Sequence, residues 1–300
     1  MKKGLVMEGG AMRGMFTAGV CDVLLEKGIE FDGAVGVSAG AAFGCNFKSR
    51  QIGRAIRYNM RFCGDKRYWS ISSLLKTGDI FNVDFCYNKL PYELDIFDEK
   101  TFNENPLEFH IVCADVKTGL PHYEKCFDAR ESILWMRASA SMPIVSRVVE
   151  INRKEYLDGG IVDAVPIKYF ESIGYTKNIV ILTRPYDYVK KKGRFNWIMK
   201  FFLWKYPAVY EGMKNRHKMY SETMEYINKK EAKGEIIVIR PETALNVKRT
   251  ERNPENLKKA YDLGRKAAIN RLEEIKGFLE GWFQKAFLFW IFKLYEVWRF

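Results

Sequence analysis

Apolar positions recur along this chain with two distinct periods. Met12, Met15, Phe16, Gly19, Val20, Val23 and Leu24 follow the i, i+3, i+4, i+7, i+8 spacing of an amphipathic helix. Gly28 stands where a left-handed cap ends such a helix. Short apolar runs at 4–7, 31–37, 108–113, 177–182 and 235–239 have the length and flanks of buried strands. Strands alternating with helices predict a doubly wound, mostly parallel sheet. The first forty residues read as one βαβ unit whose two loops share the C-terminal edge of the sheet, where α/β proteins place their sites.

Turn chemistry adds two hairpins. Lys117-Thr118-Gly119 turns 108–113 back onto 121–124, and Asn152-Arg153-Lys154 joins 147–151 to 155–157. Asp128-Ala129-Arg130-Glu131 is a capping-box signature. The helix it opens runs through Ile133, Leu134 and Met136 into the small-residue segment Ala138-Ser139-Ala140-Ser141-Met142-Pro143. Residues 50–106 are less periodic, mix basic and aromatic side chains, and predict helices and loops lying over the site edge.

With 300 residues, 47% of them hydrophobic, the chain has ample material for a core. It suits one large α/β domain with an appendage; we expect an α/β unit over 4–185 and a mainly helical region over 186–300 that lends the sheet its strand near 235–240. The net charge of +12 points to anionic partners. Residues 184–218 concentrate it, with ten basic residues against two acids (Asp187, Glu211) among many aromatics. Such a segment suits a water–lipid interface. Leu279, Phe283, Ala286, Phe287, Trp290, Leu294 and Val297 form a further helical stripe, with Lys285, Lys293, Glu296 and Arg299 off it. That stripe either packs on its own domain or docks peripherally on an anionic membrane surface. No nucleic-acid motif is present, so that class of partner is not expected, and nothing in the sequence sets an oligomeric state.

Six scattered cysteines read as reduced core thiols, and neither a metal nor another cofactor is expected. Lys2 and Lys3 precede an apolar run too short for a signal peptide, and no run reaches the length of a membrane span, so a cytoplasmic protein is expected.

The candidate chemistry begins at Gly36-Val37-Ser38-Ala39-Gly40, a strand–turn–helix context with one serine at the corner. Glycines on both sides let strand and helix approach, and the helix start aims free N–H groups at charge developing beside Ser38. Glu8-Gly9-Gly10-Ala11-Met12-Arg13-Gly14 supplies a second turn at a helix start, whose N–H groups around Gly10, Ala11 and Met12 suit an oxyanion hole. The rival reading, a nucleotide phosphate loop, fits neither G-x-G-x-x-G nor the Walker spacing. Arg13 orients the loop, meets an anionic substrate, or is simply a solvated charge. Asp158-Gly159-Gly160 leaves a strand in a sharp turn; its aspartate either faces a neighbouring loop or closes an Asx-turn. A serine needs an adjacent base. His110 and His122 precede Asp158, and His217 lies on a basic helical surface, so a histidine triad has poor support and Asp158 acting directly on Ser38 is the economical arrangement.

Together, 8–14, 36–40 and 158–160 resemble the three signature blocks of the patatin-like phospholipase family, and 138–143 resembles its small-residue segment before the aspartate. The resemblance spans about 4–185. It implies a three-layer α/β/α fold and hydrolysis of phospholipid or lysophospholipid acyl esters by a Ser38–Asp158 dyad. The oxyanion donors it implies are Gly9, Gly10, Ala11, Met12 and Ala39, with Arg13, Gly14, Gly36, Gly40, Gly159 and Gly160 in support. A general esterase, an acyltransferase with the same dyad, or an idle lipid-binding module are the alternatives. Ala11 departs from the family by replacing its third glycine; the alanine keeps its N–H, and the hole is expected to survive if φ there is negative. The helical tail resembles the bacterial subgroup with a C-terminal helical domain.

Overall fold

The computed structural model describes residues 1–193 and 197–281. Strand β1 (Lys2–Met7) leads through a 3₁₀ turn (Ala11–Gly14) into α1 (Met15–Glu26), then β2 (Gly33–Val37) and α2 (Ala39–Lys48). Helices α3 (Arg54–Phe62) and α4 (Ile71–Thr77), a π-helical segment (Phe85–Leu94) and α5 (Glu99–Glu104) follow. Next come β3 (Glu108–Asp115), β4 (Pro121–Cys126), α6 (Ala129–Ser139), β5 (Val149–Ile151), β6 (Lys154–Asp158), α7 (Ile167–Ser172) and β7 (Tyr175–Ile181). The rest is α8 (Trp197–Phe202), α9 (Pro207–Ala232), β8 (Ile236–Ile239), α10 (Pro254–Asn270) and α11 (Leu272–Glu280).

The five apolar runs become parallel neighbours in the order β3-β2-β1-β7-β8. Both hairpins attach to β3, on opposite edges: β4 runs antiparallel along its outer edge, and β6, with β5 beyond it, joins the β2 side past the end of β2, where Cys113 faces Asp158. Alternation along each strand divides the core into two faces. Leu5, Met7, Ala34, Ile111, Ile179 and Ile181 bury against α1, α2 and α10. Val6, Val35, Val112, Val180 and Val238 bury on the opposite face, against residues of α7 and α9. Helices thus cover both faces of the sheet, giving three layers. The first helix starts later than its apolar period implies, because Ala11–Gly14 is wound as a tighter 3₁₀ turn. Its end is as expected, with Gly28 at φ 63. Asp128 caps α6 by accepting from the amides of Arg130 and Glu131.

The C-terminal region packs tightly onto this frame. Helix α10 crosses α1 backbone to backbone, with Gly264 against the Phe16 carbonyl and Gly19 against the Tyr261 carbonyl; a Cβ at either glycine overlaps the facing oxygen. The Tyr261 hydroxyl donates to buried Asp22 at 2.6 Å, and Arg265 pairs with Glu26 at 2.8 Å. Leu279 is buried in this core, whereas the expected stripe from Phe283 to Val297, with Lys285, Lys293, Glu296 and Arg299, lies outside the described residues. Among the described residues no helix is long and apolar enough to cross a membrane.

Candidate active site

Register brings the candidate residues to one end of the sheet. Val37, the last residue of β2, pairs with Val112 of β3, and the next β3 residue, Cys113, faces Asp158 on β6. Because β4 pairs with these same β3 residues along the other edge, β2 and β6 lie end to end on one edge of β3, and Ser38 and Asp158 meet there side by side. Ser38 itself sits at φ 54, ψ −119, a backbone conformation unusual for any residue but glycine. Its amide donates to the Ser139 hydroxyl at 2.8 Å, and that hydroxyl donates to the Val112 carbonyl at 2.6 Å. The Ser38 carbonyl in turn accepts from Ala41 and Ala42, the first hydrogen bonds of α2.

The first-loop residues close over this corner. Gly9 lies so near that a Cβ there stands 3.1 Å from the Ser38 Cβ. Gly36, next to last in β2, lies beside the start of α2, Gly40 packs on the Met7 carbonyl, and Gly14 meets Phe43 and Ala39. Gly10 caps the 3₁₀ turn and lies against Thr183. Among the described residues, the amides of Gly9, Gly10, Ala11, Met12 and Ala39 have no protein acceptor, so they remain available donors. The condition attached to Ala11 is not met: its φ is +49, in the left-handed region. Its N–H is retained, so the consequence is backbone strain of about 1 kcal/mol where a glycine would carry none.

Asp158 is buried and accepts from the Gly160 amide at 2.7 Å, while its own amide donates to the Ser141 carbonyl at 2.8 Å. The small segment before Pro143 thus holds both halves of the site, Ser38 through Ser139 and Asp158 through Ser141. Gly159 lies against the Val112 carbonyl, where a side chain has no room. Burial pushes the Asp158 carboxyl above its ordinary value, against the opposing pull of the Arg216 charge, the Ser38 hydroxyl and the Gly160 amide. A buried carboxylate with a raised pKa, next to a serine, has the character of a general base.

None of the three histidines bonds Ser38 or Asp158 among the described residues. His110 Nδ1 lies 3.0 Å from the Tyr169 hydroxyl inside the sheet, and burial drives its pKa down to about 4. His122 pairs with Glu124 at 2.9 Å and stacks on Trp135, and His217 bonds the carbonyl of Lys214 on its own helix.

A cavity of about 600 Å³ opens at Ser38, with Ala11, Met12 and Ala39 at the same end. Phe43, Tyr58, Phe81, Leu90 and Met136 make its walls mostly apolar. The irregular 50–106 segment supplies much of that wall, as its position over the site edge implied. The volume lies within the usual range for small-molecule sites.

Several contacts at the site were not visible in the motifs. Glu8 is buried, and its carboxylate accepts from the Thr183 amide at 2.5 Å, the Thr183 hydroxyl at 3.0 Å and the Tyr220 hydroxyl at 2.9 Å. Arg216 of α9 hydrogen-bonds the Gly160 carbonyl through Nε, and Arg249 reaches the cavity wall. For Arg216 the only signal was the charge density of 184–218, which we read as a lipid-facing surface. That reading needs correcting in part: Arg184, Lys190, Arg216, Tyr188 and Tyr220 turn inward around Glu8 and Asp158. Phe201, Phe202 and Trp204 do face solvent, at 67%, 60% and 68% exposure.

The model of the patatin-like phospholipase family matches residues 5–171, and that of a domain of unknown function (DUF6363) matches 206–280. Over 195 residues the chain is 30% identical to the uncharacterized protein YjjU of Escherichia coli (strain K12), covering 60% of this chain and 52% of that protein. The chain thus spans about half the length of this curated relative. Among solved structures, VipD from Legionella pneumophila aligns with a TM-score of 0.44 and 14% identity, over 91% of this chain and 67% of that one.

Proposed function

The chain belongs to the patatin-like phospholipase family, and from that premise we propose that it is a serine lipid acyl hydrolase acting on phospholipid or lysophospholipid esters through Ser38 and Asp158. The observation that carries the reading is the meeting, along one edge of β3, of a serine in a strained turn with a buried aspartate, beside a row of unused amides. As the Ser38 hydroxyl attacks the ester carbonyl, Asp158 takes its proton. The tetrahedral oxyanion accepts from amides of Gly10, Ala11, Met12 and Ala39, where each donor is worth about 10²–10³ in kcat. Collapse expels the alcohol, which recovers the proton from Asp158 and leaves an acyl-Ser38. Water, deprotonated by Asp158, releases the fatty acid and regenerates the serine.

The acyl chain lies in the apolar cavity at Ser38. Residues 4–185 carry the chemistry in this reading, and the C-terminal region supplies Arg216. Exposed Phe201, Phe202 and Trp204, with Lys200 and Lys205 beside them, form a face suited to an anionic lipid surface. The test is product analysis against a panel of defined phospholipids and lysophospholipids. Fatty-acid release by the wild type, lost in Ser38→Ala, is expected; equal release by folded Ser38→Ala overturns the reading.

A further inference from the structure

Five cations converge beside the dyad. Arg13 comes from the 3₁₀ turn, Arg184 and Lys190 from the segment after β7, Arg216 from α9, and Arg249 from the loop before α10. Two tyrosines link Arg184 and Lys190. The Arg184 guanidinium lies 4.3 Å over the Tyr188 ring, Lys190 Nζ lies 4.5 Å over the Tyr220 ring, and the two rings are 6.0 Å apart. Tyr220 reaches Glu8 through its hydroxyl, Arg216 reaches the Gly160 carbonyl, and Arg249 lines the cavity that opens at Ser38.

The cluster lacks negative charge. Only Glu8 and Asp158 are acidic there, and among the described residues no carboxylate oxygen comes within 4.0 Å of any of the five cationic groups. Glu8 is already occupied by neutral donors from Thr183 and Tyr220. The Arg13 Nε is buried with no partner. The cations feel one another: burial and then the charges of Arg216, Arg249 and Arg184 bring Lys190 down to about 7, and burial with Arg184 and Arg249 brings Arg13 to about 10. Partly desolvated like charges of this kind repel unless an anion joins them.

We propose that Arg13, Arg184, Lys190, Arg216 and Arg249 form a phosphate subsite that holds the phosphodiester of a lipid headgroup while the acyl ester lies at Ser38. Guanidinium groups match phosphate oxygens in charge and bidentate geometry. Arg13 stands two residues from Ala11 in the same turn, Arg249 lines the cavity that opens at Ser38, and only a glycerol unit separates phosphate from ester in a phospholipid. The headgroup role rests on the hydrolase reading above; the existence of the anion site does not. Free inorganic phosphate shares the same chemistry.

The test has two arms. In the first, inorganic phosphate and glycerophosphocholine are titrated calorimetrically into the full-length wild type and into Arg249→Gln and Arg184→Gln. Saturable binding, weakened about tenfold or more in each variant and partly restored in Arg249→Lys, is expected. No binding, or binding equal in the variants, overturns the site whether or not the protein hydrolyses esters. In the second arm, kcat/KM is compared for a lysophospholipid and a monoacylglycerol of the same acyl chain. A preference for the lysophospholipid that falls about tenfold in each variant supports the headgroup assignment. Phosphate binding with an unchanged substrate ratio assigns the site to free phosphate and overturns the headgroup. Phosphate binding in a wild type that hydrolyses neither ester overturns the hydrolase reading and the headgroup role while leaving the anion site standing.

Discussion

The backbone amide of Ser38 donates to the hydroxyl of Ser139 at 2.8 Å, across 101 residues of sequence. Ser139 is fully buried, and its hydroxyl donates a hydrogen bond to the Val112 carbonyl. One hydroxyl therefore pins the strained turn of Ser38 to β3, the strand along whose edge Ser38 meets Asp158. Strained conformations persist where the surroundings over-determine them, and this pair is how the turn is held.

Ser139→Ala removes both bonds and leaves a buried amide and a buried carbonyl unpaired. We expect a loss of about 1–3 kcal/mol in stability and a fall in kcat as the Ser38 backbone relaxes. Urea denaturation and ester kinetics check this. Unchanged stability and kcat would show that the turn is held by other contacts.

Ala11→Gly acts in the opposite sense. With φ at +49, the alanine carries a strain of about 1 kcal/mol that glycine does not; the freer unfolded chain of glycine offsets about 0.4–1 kcal/mol of this, so the variant is expected to gain at most about 0.5 kcal/mol. The midpoint of urea denaturation rises if the strain is real. A lower midpoint contradicts it.

The pH profile follows from Asp158. Its carboxyl is held above the ordinary 3.8 by burial, so it stays protonated further up the pH scale, and only the ionised form accepts the serine proton. The acid limb of kcat is therefore expected at a pH above 3.8. Arg216 opposes that shift by favouring the carboxylate. Arg216→Gln removes the opposing charge, so the limb moves to still higher pH. A limb that stays in place, or moves to lower pH, in Arg216→Gln contradicts the coupling.

Much of this architecture is legible in the sequence, and the limits have physical causes. Strands β1, β2, β3, β7 and β8 announce themselves as apolar runs because both of their faces are buried. The turns bearing Ser38 and Asp158 are legible because close backbone approach there requires glycine. Their meeting along one edge of β3 follows from register, which the sequence does not print. Ser139 was visible only as one of several small residues; its bond to Ser38 depends on how α6 packs on β3. Arg216 and Tyr220 were harder still. Charge density along 184–218 looks the same whether cations face lipid, water or an interior anion site, and only the packing of α9 against Glu8 and Gly160 separates these. Ala11 kept the N–H that a donor needs, but its φ is set by the turn and not by the residue.

Labelling by a fluorophosphonate probe, located by peptide mass spectrometry, tests the central claim most directly. The account predicts a single adduct on Ser38 in the wild type, and labelling slowed by orders of magnitude in folded Asp158→Asn. An adduct on another serine, or undiminished Ser38 labelling without the Asp158 carboxylate, would contradict the dyad.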